Sequence, residues 1–335
     1  MNYQNIAITK DMYKNGERLT SQLERLDPSA GYSGELAGLD AFERQLKRFD
    51  IKVSGERSDL LQKFFSTGES ASLFPEYVAR AVGAGMEQSD HLGSVIAAKT
   101  MINSLDYRTI TTDFSEDDKE LKVVLEGGMI PQVQIRLKDN LVRLYKRGRM
   151  LAASYEAIKF QHIDLFSVAL KQIGAYIAKS QFADAVRVLI DGDGNDNAAD
   201  RIETAESGKL SYGDLVGLWG EFEDYEMNVL LASPDMMLKV LALPEMQDAA
   251  AGLNFQGTGK LATPLGASLI RSSAVPAGTI VALDSRCALE MVCAGEVSVD
   301  SDRLIDCQLE RTAITATAGF AKIFPQAVKV LGLKA

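Results

Sequence analysis

The sequence predicts an α+β fold built around one very long helix. From Ile163 to Ile190 the chain has no proline, and apolar residues recur at helical spacing. Such a helix would have about 28 residues and a length of roughly 42 Å, whereas the mean helix has about 11–12 residues. The stretches 107–150 and 295–320 instead alternate between apolar and polar residues, as strands do. A rod of this length usually lies on a sheet or organises an extended subunit.

The end of the long helix carries a motif with two interpretations. Gly192 and Gly194 are typical stop signals. The run from Asp191 to Asn197 also resembles the start of a calcium loop, but Asp196 stands where that loop needs glycine and Ile202 where it needs glutamate. A helix-ending turn is the simpler interpretation, and a cation site is the alternative.

The N-terminal part of the chain predicts helices and then an arm. Amphipathic helices are expected within Lys10–Leu26 and Leu36–Phe49, and their apolar stripes need a partner because isolated helices of this length are marginal. Residues 67–106 are rich in Ser, Gly and Ala with little periodicity, which predicts an extended arm ordered by its neighbours. We expect a chain that begins near Gly68 to fold but to assemble aberrantly.

Residues 107–140 predict a two- or three-stranded antiparallel ribbon, because apolar and polar residues alternate on both sides of Gly127 and Gly128. An isolated ribbon is marginal in water and would be stable mainly against another subunit. Its lysines are candidates for contacts between subunits: Lys119, Lys122 and Lys138.

The segment 211–295 predicts a mixture of helices and strands. Ser211 is the expected N-cap of a helix over 212–225, and Pro234 the first residue of a helix over 234–243. Strands are expected at 228–232, 265–271, 279–283 and 288–292.

Composition argues against several functional classes. A net charge of −10 and a pI near 4.9 disfavour sequence-specific nucleic-acid binding. No run approaches 18 apolar residues, and the N-terminus does not resemble a signal peptide. Three cysteines without a CxxC pair and two histidines do not predict a zinc site. We expect no catalytic residue, no cofactor and no metal.

Two charged clusters are further candidates for contacts between subunits, although a solvated face is the simpler interpretation of each. Complementary potentials serve register and specificity more than raw affinity. The basic cluster is Arg143, Arg147 and Arg149. The acidic cluster is Glu221, Glu223 and Asp224.

Taken in order, these features resemble the major capsid proteins of tailed bacteriophages, which have the Hong Kong 97 fold. The resemblance rests on the run from Leu141 to Asn195, the strand and proline turn at 227–234, the ValAlaLeuAsp motif at 281–284 and the closing strand at 324–333. It covers residues 71–335 and implies an N-terminal arm, an extended β-ribbon loop, a peripheral domain with a long spine helix, and an axial domain.

Carried onto this chain, the resemblance implies five parts. They are a scaffold-like helical extension at 1–66, the N-arm at 67–106, the extended loop at 107–140, the peripheral domain at 141–210 and 286–320, and the axial domain at 211–285 and 321–335.

The resemblance further implies a subunit that forms pentamers and hexamers of an icosahedral shell around a double-stranded DNA genome. Expected partners are other copies of the chain, a portal, decoration, scaffold or protease proteins, and DNA bound without sequence specificity, but no membrane. The expected location is the virion capsid, assembled in the host bacterial cytoplasm. Some shells of this family cross-link a loop lysine to a neighbour's asparagine. Residues 302–320 contain no asparagine, so we expect a non-covalent shell.

Two alternatives stay open at this point. One is an encapsulin-like nanocompartment, which would have the same fold and enclose protein cargo. The other is an unrelated cation-dependent enzyme that uses Asp191 and Asp193.

Overall fold

The computed structural model describes residues 3–13, 18–55, 57–89, 91–104, 106–112, 123–127, 130, 135–247 and 264–334. Within them the fold is α+β, as predicted. The helices are α1 (Leu19–Leu26), α2 (Ala41–Arg48), α3 (Gly68–Ala71), α4 (Phe74–Gln88), α5 (Tyr155–Phe160), α6 (Ile163–Asp191), α7 (Tyr212–Gly220), α8 (Pro234–Leu241) and α9 (Pro244–Gln247). The strands are β1 (Ala98–Ile102), β2 (Ile110–Thr112), β3 (Ile135–Leu137), β4 (Leu144–Ser154), β5 (Asp200–Glu203), β6 (Val229–Ala232), β7 (Ser268–Arg271), β8 (Thr279–Leu283), β9 (Leu289–Ala294), β10 (Ser298–Leu304), β11 (Leu309–Lys322) and β12 (Val328–Gly332).

The chain divides into two compact units. Unit 1 consists of Met1–Asp90, Lys146–Lys179 and Glu296–Ala316. Unit 2 consists of His91–Tyr145, Ser180–Gly295 and Thr317–Ala335. Helix α6 and strand β11 contribute residues to both units. These boundaries differ from the five-part division expected from the sequence, which stays a prediction.

Helix α6 is the long helix that the sequence predicts. It begins at Ile163 and ends at Asp191, one residue beyond the predicted end. It stops there because Gly192 adopts a φ of 83°, a left-handed conformation that glycine tolerates and most residues avoid. The predicted apolar stripe is buried except for Phe166, which is half-buried: Ile163, Leu170, Ile173 and Ile177 in unit 1, and Phe182, Val186 and Leu189 in unit 2.

The N-terminal segment is an integral part of the core of unit 1. Leu19 and Leu23 of α1 and Phe42 and Leu46 of α2 lie in one apolar cluster with residues of α4 and of the first half of α6. The predicted amphipathic stripes are present, although each helix is shorter than expected. Their partner is the rest of the same chain, so they need no second copy to become buried.

A buried guanidinium fixes the arrangement of α1 and α2. The side chain of Arg44 is fully buried and donates to Asp27 Oδ2 at 2.9 Å, to Ser29 Oγ at 2.8 Å and to the Leu39 carbonyl at 2.7 Å. It also stacks over the ring of Tyr32, 4.4 Å from the centroid. Because arginine has a rigid planar fork, these partners are compatible with one arrangement of the segment only.

The structure replaces the expected extended arm with a helix over Phe74–Gln88. One of the small residues that suggested an irregular arm, Gly85, lies instead where this helix crosses α6. A Cβ atom added to Gly85 would lie 2.1 Å from the carbonyl oxygen of Lys171. A Cβ added to Gly174 would lie 2.1 Å from the carbonyl oxygen of Val82. The two helix backbones therefore touch, and only glycine fits at either position.

Unit 2 contains a five-stranded sheet in the order β5-β12-β8-β6-β7. Strands β12, β8 and β6 pair antiparallel, whereas the edge strands β5 and β7 pair parallel to their neighbours. Alternate residues face two different cores, Val281 and Leu283 one and Ile280 and Ala282 the other. Every residue of β6 is buried, as expected of a strand covered on both faces.

The two ends of the predicted ribbon are hydrogen-bonded to strands β9 and β11. These strands pair antiparallel, and β1 adds to the other side of β9 in parallel. Strand β10 forms a hairpin with the first half of β11, in agreement with the alternation at 295–320. Helix α7 has the predicted N-cap, a reciprocal capping box between Ser211 and Asp214, but ends at Gly220 instead of 225.

Candidate assembly surface

The predicted ribbon contains the strands β2 and β3, which pair antiparallel with Ile110 opposite Leu137 and Thr112 opposite Ile135. Three apolar side chains on this pair are exposed: Ile110 at 54%, Ile135 at 68% and Leu137 at 64%. Exposed apolar residues on neighbouring strands mark interaction sites more often than isolated ones do. The ribbon thus carries an apolar surface that the described part of its own chain leaves open.

The ribbon lysines that the sequence singled out do not form one group. Lys119 and Lys122 lie outside the described residues. Lys138 is only 7% exposed, and its ammonium lies 3.5 Å from Asp193 Oδ2 and donates to the carbonyl oxygen of Lys322. Strand alternation alone could not show this, because Asp193 is 55 residues away in the sequence.

The turn after α6 holds the strand that leaves the ribbon. Asp193 Oδ2 accepts from the backbone N–H of Lys322 on β11 at 3.0 Å. Asn140 donates through its side-chain amide to the Gly194 carbonyl at 2.6 Å and through its backbone to Asn195 Oδ1 at 3.1 Å. The calcium-like motif is therefore a docking turn for the protein's own ribbon, and its acidic group is engaged.

The strand that enters the ribbon is held by a second carboxylate. Glu290 on β9 is 6% exposed and accepts from three hydroxyl groups. These are Thr100 Oγ1 at 2.5 Å, Tyr107 Oη at 2.7 Å and Thr109 Oγ1 at 2.5 Å. Tyr107–Thr109 and Lys138–Asn140 are called the ribbon root below. Backbone bonds from Lys138 N to Thr109 O and from Val142 N to Tyr107 O, both at 2.9 Å, join its two strands.

Charge in this region is unevenly balanced. Burial opposes ionisation of Asp193, but hydrogen bonds from Asn195, the Lys138 ammonium and the Lys322 N–H hold its pKa below the ordinary value. The Lys322 side chain is fully buried, and its ammonium makes no hydrogen bond among the described residues. Burial lowers the pKa of Lys322 from 10.5 to about 8, although Asp193 acts in the opposite direction. Asp193 therefore acts on both Lys138 and Lys322, and Asp200 and Asp191 also favour the charged form of Lys322.

The buried Lys322 predicts a specific dependence of stability on pH. Between pH 8 and 10.5 the unfolded chain binds a proton on this lysine that the folded chain does not, so the free energy of unfolding rises with pH across that window, by at most about 3 kcal/mol. In Lys322→Met this rise should disappear, and the variant should be more stable than the parent protein at pH 7.

Urea unfolding of both proteins between pH 7 and 10.5 measures this effect. Lys329→Met on β12 is the control, because Lys329 is paired with Asp200 at 2.8 Å and its removal should leave the rise with pH intact. If the free energy of unfolding changes with pH in the same way in the parent protein and in Lys322→Met, the lowered pKa of Lys322 is not the cause of the rise.

The two charged clusters are located as follows. Arg143 and Arg149 are exposed and Arg147 is half-buried, at the start of and along β4. Arg149 lies 5.9 Å above the ring of Tyr176, which is 49% exposed. The acidic residues follow α7 on an exposed segment: Glu221, Glu223 and Asp224. All but Arg147 are open to solvent in the subunit, as contact residues between subunits would be.

The histidines, cysteines and acidic residues considered as metal ligands do not form a site among the described residues. Among the residues that the structure describes, no three His, Cys, Asp or Glu side chains are arranged to hold a metal ion. Cys293 is buried, Cys287 half-buried and Cys307 exposed, and all three are free thiols. His162 lies just before α6 with Nδ1 2.9 Å from the Ser58 carbonyl oxygen. No helix within the described ranges combines the length and apolar character that a membrane crossing requires.

Comparison with known proteins identifies the family. The model of the phage capsid protein family matches residues 138–305, half of the chain, including Lys138–Asn140 of the ribbon root, α6 and most of unit 2. The chain belongs to the phage capsid protein family. It is a major capsid protein, its role is structural, and its place is the capsid of the virion. A search of curated proteins finds no match to this capsid protein.

Solved structures show the same fold at low sequence identity. The capsid of a native GTA particle is 16% identical, with 76% of this chain and 91% of that chain covered at a TM-score of 0.54. A virus-like particle from Pyrococcus furiosus is 12% identical, with 76% and 98% covered at 0.52. Microbacterium phage Oxtober96 is 9% identical, with 73% and 91% covered at 0.51. The predicted Hong Kong 97-type fold is confirmed.

Proposed function

We propose that copies of this capsid protein assemble through the ribbon into a closed icosahedral shell of pentamers and hexamers around double-stranded DNA. The observation that supports this most directly is the apolar surface of β2 and β3, where Ile110, Ile135 and Leu137 are exposed in the subunit. A two-stranded ribbon is marginally stable alone, and a neighbouring copy would bury this surface.

Ring contacts of this kind are heterologous, because one surface of a subunit meets a different surface of the next. The first half of α6 offers a suitable receiving surface in unit 1. Leu165, Val168 and Tyr176 lie on one side of the helix and are 64%, 59% and 49% exposed. We propose that the ribbon of one copy covers this side of α6 in the next.

Charge would then set the register of the contact. The basic residues Arg143, Arg147 and Arg149 and the acidic residues Glu221, Glu223 and Asp224 are proposed as opposite poles between copies. Rim charges of this type mainly affect association rate and specificity. The net charge of −10 is consistent with a wall that does not bind the packaged DNA tightly.

The remaining roles follow from the proposed shell. A portal would occupy one vertex, and decoration, scaffold or protease proteins would act at its surface or during assembly in the host cytoplasm. The shell would be held by non-covalent contacts, since residues 302–320 offer no asparagine and Lys138 is buried. The subunit would need no cofactor and would catalyse no reaction.

Substitution on the ribbon tests this proposal. Leu137→Asp should leave the subunit folded, because the side chain is 64% exposed, but should prevent shell formation. Each copy would lose about 1.5–3 kcal/mol of apolar burial and would bury a carboxylate instead. Leu137→Ile is the matched control, since it keeps the apolar surface and should assemble normally.

Electron microscopy of the purified proteins, with circular dichroism as the check on folding, measures the outcome. Normal shells from Leu137→Asp would contradict the ribbon contact. Discrete small oligomers from the parent protein would contradict assembly into a shell. Small uniform particles that contain protein instead of DNA would favour the nanocompartment alternative.

A further inference from the structure

The ribbon root is tied to unit 2 by polar groups that are too deeply buried for an ordinary loop. Loop ends usually run over the surface and exchange their hydrogen bonds with water. Here Glu290 and Asp193 are buried, and each receives bonds from one of the two root strands. Burying a carboxylate is costly unless its hydrogen bonds are satisfied, and removing one partner of such a buried group is strongly destabilising.

The two carboxylates act on opposite strands of the root. Glu290 accepts from Tyr107 and Thr109 on the entering strand and from Thr100 on β1. Asp193 contacts Lys138 on the leaving strand, while its second bond reaches β11. Both strands are thus attached to the β9–β11 pair, and neither can rotate without breaking a buried bond.

We infer that Glu290 and Asp193 are positioning residues that set the direction in which the ribbon leaves unit 2, and thereby the curvature of the assembled shell. This rests on the proposed role of the ribbon in contacts between copies. A rotation at the root displaces β2 and β3 by an amount that grows with distance from the root. A loosely held root would let neighbouring copies join at variable angles, and a rigid root selects one.

The turn that carries Asp193 is shaped for this task. Gly192 has a φ of 83°, and a Cβ atom there would lie 2.5 Å from Asn197 Oδ1. That oxygen accepts from the backbone N–H of Asp193 at 3.0 Å, and Asn195 donates to Asp193 Oδ1 at 2.9 Å. The carboxylate is therefore preorganised by its own turn. In the motif that resembled a calcium loop, a single oxygen, Asp193 Oδ2, faces both the Lys138 ammonium and the N–H of Lys322.

Asp193→Asn tests the leaving strand. An asparagine at this position has one acceptor oxygen and one NH₂ group. If the NH₂ group faces the Lys138 ammonium and the Lys322 N–H, it cannot accept from them. If the oxygen faces them, the negative charge opposite both donors is still lost. Asn140→Ala tests the same strand without touching a buried group, because Asn140 is exposed and loses only its bond to the Gly194 carbonyl. Asp191→Asn is the matched control, since Asp191 lies in the same turn but is exposed and pairs with Arg201 at 3.6 Å.

Two measurements separate positioning from simple stability. Hydrogen exchange of the unassembled subunit should accelerate at β2 and β3 by about five- to tenfold in Asn140→Ala and in Asp193→Asn, as the loss of one or two hydrogen bonds implies. Electron microscopy of assembled material should show shells with a broadened or shifted range of diameters. Asp191→Asn should match the parent protein in both, and the thermal midpoint should not track the diameter across the variants.

Unchanged exchange at β2 and β3 in Asn140→Ala would overturn the inference even if Asp193→Asn fails to fold. Faster exchange with shells of the parent diameter would overturn the link to curvature. If hydrogen exchange accelerates as expected but Leu137→Asp also assembles normally, the buried carboxylates do hold the ribbon root. In that case the ribbon is not the contact between copies, and the proposed function is wrong.

Discussion

A chain that begins at Gly68 is expected to be insoluble, with unit 1 unfolded. The deleted segment supplies a large share of that unit's core: Ile6, Ile8, Leu19, Leu23, Phe42, Leu46, Ile51, Leu61 and Phe64. Burial of such a side chain contributes about 1.5–3 kcal/mol, so the sum lost is as large as, or larger than, the total stability of a typical protein, about 5–15 kcal/mol. The truncation also removes Asp40, which pairs with Arg80 of α4 at 2.7 Å.

This result would reverse the expectation drawn from the sequence, in which the truncated chain folds and assembles aberrantly. Solubility, circular dichroism and electron microscopy of the truncated protein measure it, and a chain that begins at Tyr3 is the control. Mass spectrometry of mature particles should find residues 3–66 still present, because the shell subunit needs them for its own core. A soluble, cooperatively folded truncation would show that the segment is a separable scaffold.

The sequence predicts local structure well where one face of an element is buried. The stripe on α6 and the alternation in the first half of β11 follow from the periods of a helix and a strand, and Ser211 and Gly192 mark helix ends through backbone chemistry that neighbours in the sequence determine. These features need no knowledge of the tertiary structure, and the structure confirms them.

Neither the helix over Phe74–Gln88 nor the contacts of the ribbon root could be predicted from such local patterns. A helix whose buried face contains glycine gives a weak periodic signal, because the residue that packs most closely contributes no apolar side chain. At the root, Glu290 lies 183 residues from Tyr107 and 181 from Thr109. Nothing local to Glu290 distinguishes it from a solvated carboxylate.

The burial of Lys138 was also not predictable from the sequence, because its partner Asp193 is 55 residues away. Its alternation with the apolar residues of the ribbon made Lys138 a candidate for contacts between subunits, but the three residues of β3 are all exposed and show no alternation of burial. The residue lies one position beyond the end of that strand, where the chain meets the turn at Asp193. The position of the ribbon was therefore predictable from the sequence, whereas the way it is held was not.

Gly85→Ala should destabilise unit 1 by about 3 kcal/mol or more, at the upper end of what overpacking usually costs. The added Cβ would lie 2.1 Å from the Lys171 carbonyl oxygen and 2.5 Å from the Lys171 Cα. Both are backbone atoms inside a helix, so no side chain can move aside and α4 and α6 must separate. Separation would open the apolar cluster that also contains Val78, Val82 and Leu170.

Gly83→Ala is a matched control on the same helix, two residues away. A Cβ at Gly83 meets no atom within 4 Å, and alanine has a higher helix propensity than glycine by about 1 kcal/mol, so this variant should be as stable as the parent protein or more stable. Urea unfolding of the three unassembled proteins gives the comparison. If the two alanine variants shift the midpoint equally, helix propensity alone governs α4 and the backbone contact with α6 is absent. A lower urea midpoint for Gly85→Ala and an unchanged or higher one for Gly83→Ala would show that position 85 requires glycine because the backbone of α6 contacts α4 there.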